Sequence, residues 1–96
     1  MQKEEIINTL RADLPVLKTR FGVQSIGLFG SYARGKNKVD SDIDFLVEVA
    51  APLSENFFGL WDFLEKRFQR KIDLVRKGNH LSARFLIAIQ EDIIYV

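Results

Sequence analysis

Residues 42–49 alternate with a period of two. Ile43, Phe45, Val47 and Val49 are apolar, and Asp42, Asp44, Leu46 and Glu48 stand between them. Successive side chains of a strand point to opposite faces, so this stretch predicts a half-buried β-strand with one wholly apolar face. That face has to be covered, and the rest of the chain offers amphipathic helices to cover it. Over residues 2–20, Ile6, Ile7, Leu10, Leu14 and Leu17 recur at spacings of three and four, which predicts a helix with one apolar stripe. Pro15 inside the pattern predicts a kink or a restart, with Asp13 as a new cap, and Gly22 predicts the end. A clearer helix is expected from about 54 to 70, with Phe57, Leu60, Trp61, Leu64 and Phe68 on its buried face. Ser54 is its expected cap; Glu55 suits its positive end, and Arg67, Arg70 and Lys71 suit its negative end.

The remaining elements are short. Residues 25–29 and 72–76 read as strands. Gly30 and Ser31 turn the chain into a brief helix that ends near Gly35, and 36–41 is polar loop. Pro52 stops the strand that begins at Asp42, and Gly78 stops the one over 72–76. Leu81, Phe85, Ala88 and Ile89 mark a last helix, and 93–96 a closing edge strand. Strands and helices alternate, so the expected class is α/β (α+β), a small mixed β-sheet packed by helices. The 96 residues contain no repeat and no linker, which predicts one domain over 1–96 whose core is too thin to support a separate substrate-binding domain.

Composition removes several functions. The formal charge is +1, from 14 basic and 13 acidic residues. A sequence-independent grip on nucleic acid needs a clear basic excess, and so does a polybasic membrane anchor. With no cysteine, disulfide frameworks, thiolate zinc sites and cysteine nucleophiles are out, and a reducing compartment is favoured. The first residues carry no apolar signal region, and the longest apolar run near the C-terminus, 85–89, is too short to span a bilayer. The expectation is a soluble, cytoplasmic protein.

The residues that carry chemistry are Phe29-Gly30-Ser31-Tyr32-Ala33-Arg34-Gly35 followed by Asp40-Ser41-Asp42-Ile43-Asp44. A strand-to-helix turn at Gly30-Ser31 leaves first-turn amides unpaired and can hold an anion. Gly30 lets a phosphate approach the backbone, Ser31 adds a hydroxyl and Arg34 a charged fork. The same residues also suit a plain helix start capped by serine. Asp42 and Asp44 project from one face of their strand, and two carboxylates so close repel unless a cation neutralises them. Magnesium prefers a few carboxylates plus phosphate oxygens; a solvated strand end explains the pair equally well. Taken together, glycine, serine and the two aspartates at this spacing arise by chance about once in a thousand chains of this length. Asp73 adds a third acid in the middle of an apolar strand, where a charge is disfavoured unless liganded or paired, unless that strand is an edge with Asp73 facing water or Arg70.

The run GSYARG…SDID, with a later acid in KIDLV, resembles the nucleotidyltransferases of the DNA polymerase β-like superfamily. The order of elements and the length resemble the minimal nucleotidyltransferases, among them antitoxins paired with HEPN-domain ribonuclease toxins. The resemblance implies that the Gly30-Ser31 turn holds the triphosphate of a nucleotide, with Arg34 on phosphate. It implies that Asp42 and Asp44 ligate Mg²⁺, and that Asp73 shares a metal and draws the proton from the acceptor hydroxyl. It further implies AMP transfer from ATP to a tyrosine of a cognate HEPN toxin. The alternative is an antitoxin that neutralises by binding alone. Transfer to a small molecule, or polymerisation on nucleic acid, ranks below both.

Other residues read as structural. Trp61 belongs to the apolar stripe, with stacking on adenine as the minor alternative. His80 suits a surface or capping place. Lys36 and Lys38 read as solvated loop charges, and Tyr32 packs under its turn. Gly27 suggests close approach by a helix. Glu48 shares the face of the acids but lies a further ~13 Å along the strand from Asp44, too far for one metal.

Overall fold

The alternating stretch becomes a central strand of a four-stranded sheet. The computed structural model describes residues 1–96 in the order α1 (Lys3–Phe21), β1 (Val23–Phe29), α2 (Gly30–Ala33), β2 (Ile43–Val49), α3 (Leu53–Phe68), β3 (Ile72–Arg76), α4 (Ala83–Gln90) and β4 (Ile94–Tyr95). The sheet runs β3-β2-β1-β4. β1 is antiparallel to both β2 and β4, whereas β2 and β3 are parallel, so the sheet is mixed. No helix is long and apolar enough to cross a membrane.

The two faces of the sheet differ in what covers them. Ile26, Leu28, Ile43, Phe45 and Val47 are each fully buried and form one face. Against them pack Ile6, Leu10 and Leu17 of α1 and Leu60, Leu64 and Phe68 of α3. The ring of Phe45 lies 5.8 Å from that of Phe68. Tyr32 is buried in the same core, as expected for a side chain packed under its turn. Trp61 packs against this core too, and its indole donates to the Ile72 carbonyl at 2.9 Å. That bond anchors the indole at the α3–β3 junction.

The other face carries Phe29 and Leu46, which are buried but lie outside that core. Only α4 and the turn after it cover them. Phe85 meets Phe29 edge-on at 5.8 Å. A Cβ at Gly27 would come within 2.9 Å of Ile93 Cγ1 and 3.1 Å of Tyr95 Cδ1, so the close approach at Gly27 is made by side chains of the α4–β4 turn and β4 rather than by a helix.

Local expectations fail where tertiary context intervenes. α1 is one helix that runs through Pro15. Both Arg11 and Pro15 are exposed, so water can serve the Arg11 carbonyl that the proline leaves without an amide. Asp13 caps nothing; it accepts a 2.7 Å bond from Arg67 Nε and ties α1 to α3. α3 begins at Leu53, with Pro52 at the cap position and no side-chain cap. Ser54 is already the second residue inside the helix and so cannot cap it. The serine that does cap a helix is Ser82, whose Oγ accepts from the Phe85 amide at 3.0 Å. β1 starts at Val23 rather than at residue 25, because the register shifts between Val23 and Ser25 and hides the alternation there.

This asymmetry predicts unequal costs. Phe45→Ala is expected to destabilise the chain by about 3–5 kcal/mol, the loss of a buried ring plus a cavity. Ile87→Ala on α4, where no residue is buried, is expected to stay within about 0.5 kcal/mol. Urea unfolding measures both; equal losses would show that α4 is as much part of the core as β2.

Candidate active site

Asp44 is the second residue of β2, and the ladder places it between two neighbours. On one side it pairs with Asp73 of β3, and on the other with Phe29, the residue before Gly30. Directly opposed residues on paired strands point to the same face. Asp44 and Asp73 therefore share the face opposite the helical core. Asp42, two residues earlier, lies just outside the strand, and its charge acts on Asp44. The three acids singled out in the sequence thus gather at one end of the sheet.

Asp44 is half-buried, whereas Asp73 is exposed on the edge strand β3. This bears out the edge-strand alternative with Asp73 facing water, rather than a charge disfavoured inside an apolar strand. An edge strand leaves its carboxylate in water, and Arg70 does not pair with it, because its guanidinium donates to the Val39 carbonyl at 3.0 Å. The strain rests on Asp44, whose pKa is pushed up to about 6. Burial is the main cause, followed by the charge of Asp73 and a hydrogen bond between the two carboxyls, and then by the charge of Asp42. Arg34 opposes the shift, which places its guanidinium within the field of the acids.

Gly30 is required twice over. Its φ is +77°, a left-handed conformation, and a Cβ there would overlap the Asp44 carboxylate. The turn is thus built directly against the acid. Ser31 stands inside α2, whose cap position is Phe29, and no side-chain cap bond is made. This removes the capping role that would otherwise account for the serine. It leaves the hydroxyl without a capping partner.

The loop before the acids is pinned at two points. Ser41 Oγ accepts from the Lys38 amide at 2.8 Å, and Arg70 holds Val39. Two charged partners went unseen in the sequence. Lys71 Nζ stands 4.0 Å from Asp42, and Asp92, after α4, stands 4.0 Å from Arg34. Only chain reversal brings Asp92 to the turn, so no local pattern points to it. Glu48 is exposed and accepts a 3.4 Å bond from Ser25, away from the acids. His80 is exposed and lies 3.5 Å from Arg76, so it keeps a surface place without capping a helix.

The donor set is all oxygen and suits a hard divalent cation. As the side chains stand, no three carboxylates form a group that encloses a cation. Magnesium, which takes one or two carboxylates and completes its shell with phosphate oxygens and water, fits such a set. The raised pKa of Asp44 reflects its burial first and the neighbouring carboxyls second.

The nucleotidyltransferase domain family model matches residues 11–96. A protein adenylyltransferase, MntA, of Thermococcus cleftensis is 39% identical over 94 residues, covering 97% of this chain and 94% of MntA. A solved structure assigned as a minimal nucleotidyltransferase superposes with a TM-score of 0.79 at 27% identity, covering 98% of this chain and 95% of that one. A tri-AMPylated HEPN toxin from Shewanella oneidensis in complex with its MNT antitoxin gives a TM-score of 0.56 at 26% identity, with 97% of this chain and 66% of that one covered.

The shifted carboxyl predicts a pH dependence. Asp44 titrates near about 6 in the folded chain, against an ordinary 3.8. Between these values the folded state keeps a proton that the unfolded chain has released, so stability falls as pH rises through this window and levels off above it. Asp44→Asn is therefore expected to exceed the wild type in urea midpoint near neutral pH in metal-free buffer. The difference should close as pH falls through the same window. A difference that persists in acid would mean that the Asp44 charge is not its source.

Proposed function

The chain belongs to the nucleotidyltransferase domain family, and on that premise we propose that it is a magnesium-dependent protein adenylyltransferase over residues 1–96. It transfers AMP from ATP to a tyrosine hydroxyl of a partner HEPN-domain toxin and so acts as an antitoxin. The observation that carries this reading is the ladder pairing that sets Asp44 beside Asp73 on one side and beside the Gly30 turn on the other. The AMPylated toxin in the solved complex supports the protein acceptor.

Each residue then has a task. The amides of the Gly30-Ser31 turn and the Ser31 hydroxyl hold the triphosphate, and Arg34 adds charge against it. Asp42, Asp44 and Asp73 would hold magnesium. Held there, the cation would supply Lewis-acid stabilisation of the acceptor oxygen and of phosphate charge. Asp73, exposed on the edge strand, takes the acceptor proton. The acceptor oxygen attacks the α-phosphorus in line; the new O–P bond forms as the bond to the β-phosphate oxygen breaks, and pyrophosphate leaves. Beyond this proton, the protein's work is placement and charge neutralisation.

Transfer of label from α-labelled ATP to the toxin tests the reading. Asp42→Asn with Asp44→Asn is expected to lower transfer about a thousandfold or more, the scale of lost charge stabilisation at phosphate. Asp73→Asn alone is expected to cost about 10²–10⁴-fold, as for a general base. Gly30→Ala should abolish transfer by displacing Asp44. Label transfer by the double variant at the wild-type rate would sink the proposal. Protection of cells by that variant would favour neutralisation by binding alone.

A further inference from the structure

Arg34 is drawn from two sides. It opposes the upward shift of Asp44, so its guanidinium feels the acids. Its ion-pair partner is nevertheless Asp92, with Nη1 standing 4.0 Å from Oδ2. A guanidinium left free beside clustered carboxylates is pulled onto them. There it would take up the oxygens that a cation needs and turn away from the phosphates.

Both members of the pair are fixed to the same turn. The Arg34 amide donates to the Gly30 carbonyl at 3.1 Å, and the Lys36 amide to the Ser31 carbonyl at 2.9 Å. The backbone that carries the arginine is thereby locked to Gly30-Ser31. Asp92 lies in the connection between α4 and β4. Its amide and that of Ile93 both donate to the Ile89 carbonyl, at 3.1 and 2.9 Å. On either side of Asp92 the chain is seated on β1, because Phe85 meets Phe29 and Ile93 lies against Gly27. Phe29 leads directly into Gly30. β1 therefore sets the Asp92 carboxylate in register with the turn.

The pair does little for the fold. Its side chains are 46% and 36% exposed, and an ion pair this open and this long adds little to stability. What it changes is the direction of a flexible side chain. We propose that Asp92 is a positioning residue for nucleotide binding: it holds the Arg34 guanidinium off the acids and at the mouth of the Gly30-Ser31 turn, where the phosphate chain enters. An orientation fixed in advance lowers the ordering cost when the phosphates arrive. The proposal deepens the adenylyltransferase reading and rests on its assignment of the triphosphate to that turn.

Simple electrostatics predicts the opposite sign. A carboxylate near a triphosphate repels it, so a neutral residue at 92 should tighten binding. Titration of the chain, without acceptor, with α,β-methylene-ATP and magnesium separates the two. Asp92→Asn is expected to weaken binding by about threefold, short of the tenfold or more expected of Arg34→Gln, which loses the charged contact itself. In the Arg34→Gln background, Asp92→Asn should weaken binding by no more than about twofold, within the error of additivity. Asp92→Glu keeps the charge and should restore most of the affinity. Thermal midpoints should be unchanged, as for an open ion pair. Unchanged or tighter binding by Asp92→Asn overturns the proposal. So does an equal loss in the wild-type and Arg34→Gln backgrounds, which marks a structural effect. A wild type that binds the analogue, shows this coupling and yet transfers no AMP from ATP to the toxin leaves the positioning role standing and fails the adenylyltransferase reading. A wild type that binds no nucleotide fails both.

Discussion

The parallel register of β2 and β3 is the constraint on which the rest of this structure depends. It sets Asp44 opposite Asp73 and leaves the two carboxyls side by side on one face. The same strand pairs on its other side with the end of β1, so the Gly30 turn closes against the Asp44 carboxylate. Like charges held this way raise the pKa of the more buried member. Here that is Asp44, because β2 is interior and β3 is the edge. The fold thus concentrates negative charge at one end of the sheet.

The sheet can carry this charge because its stability is drawn from the opposite face. Nearly all of the fully buried side chains belong to the layer formed with α1 and α3. The acid face contributes Phe29 and Leu46 and is covered only by α4. A small domain with one thick core and one thin cover keeps its chemistry where little packing is at stake. The thin cover leaves apolar side chains of α4 in solvent.

Much of this was legible in the chain itself. The alternation over 42–49 gave the strand, its buried face and the shared face of Asp42 and Asp44, because side-chain direction in a strand follows from position alone. The apolar stripes gave α1 and α3. The glycine-serine turn was legible as a helix start, although not as one without a cap. Misread features were those decided by exposure or by neighbours: Pro15 sits on a wet face, and Ser54 lies inside α3 rather than at its cap. The strand content around Asp73 could not reveal that β3 is an edge.

What the amino-acid order determined is the local pattern: which residues share a strand face, which helices carry an apolar stripe, and which turn needs glycine. These follow from periods of 2 and 3.6 that hold wherever the chain goes. Strand order and register belong to the tertiary structure alone. They decided that Asp73 comes beside Asp44, that Asp92 reaches Arg34 and that Leu46 meets α4. Such pairings join distant segments, and no short-range pattern encodes which edge of a sheet a strand will take.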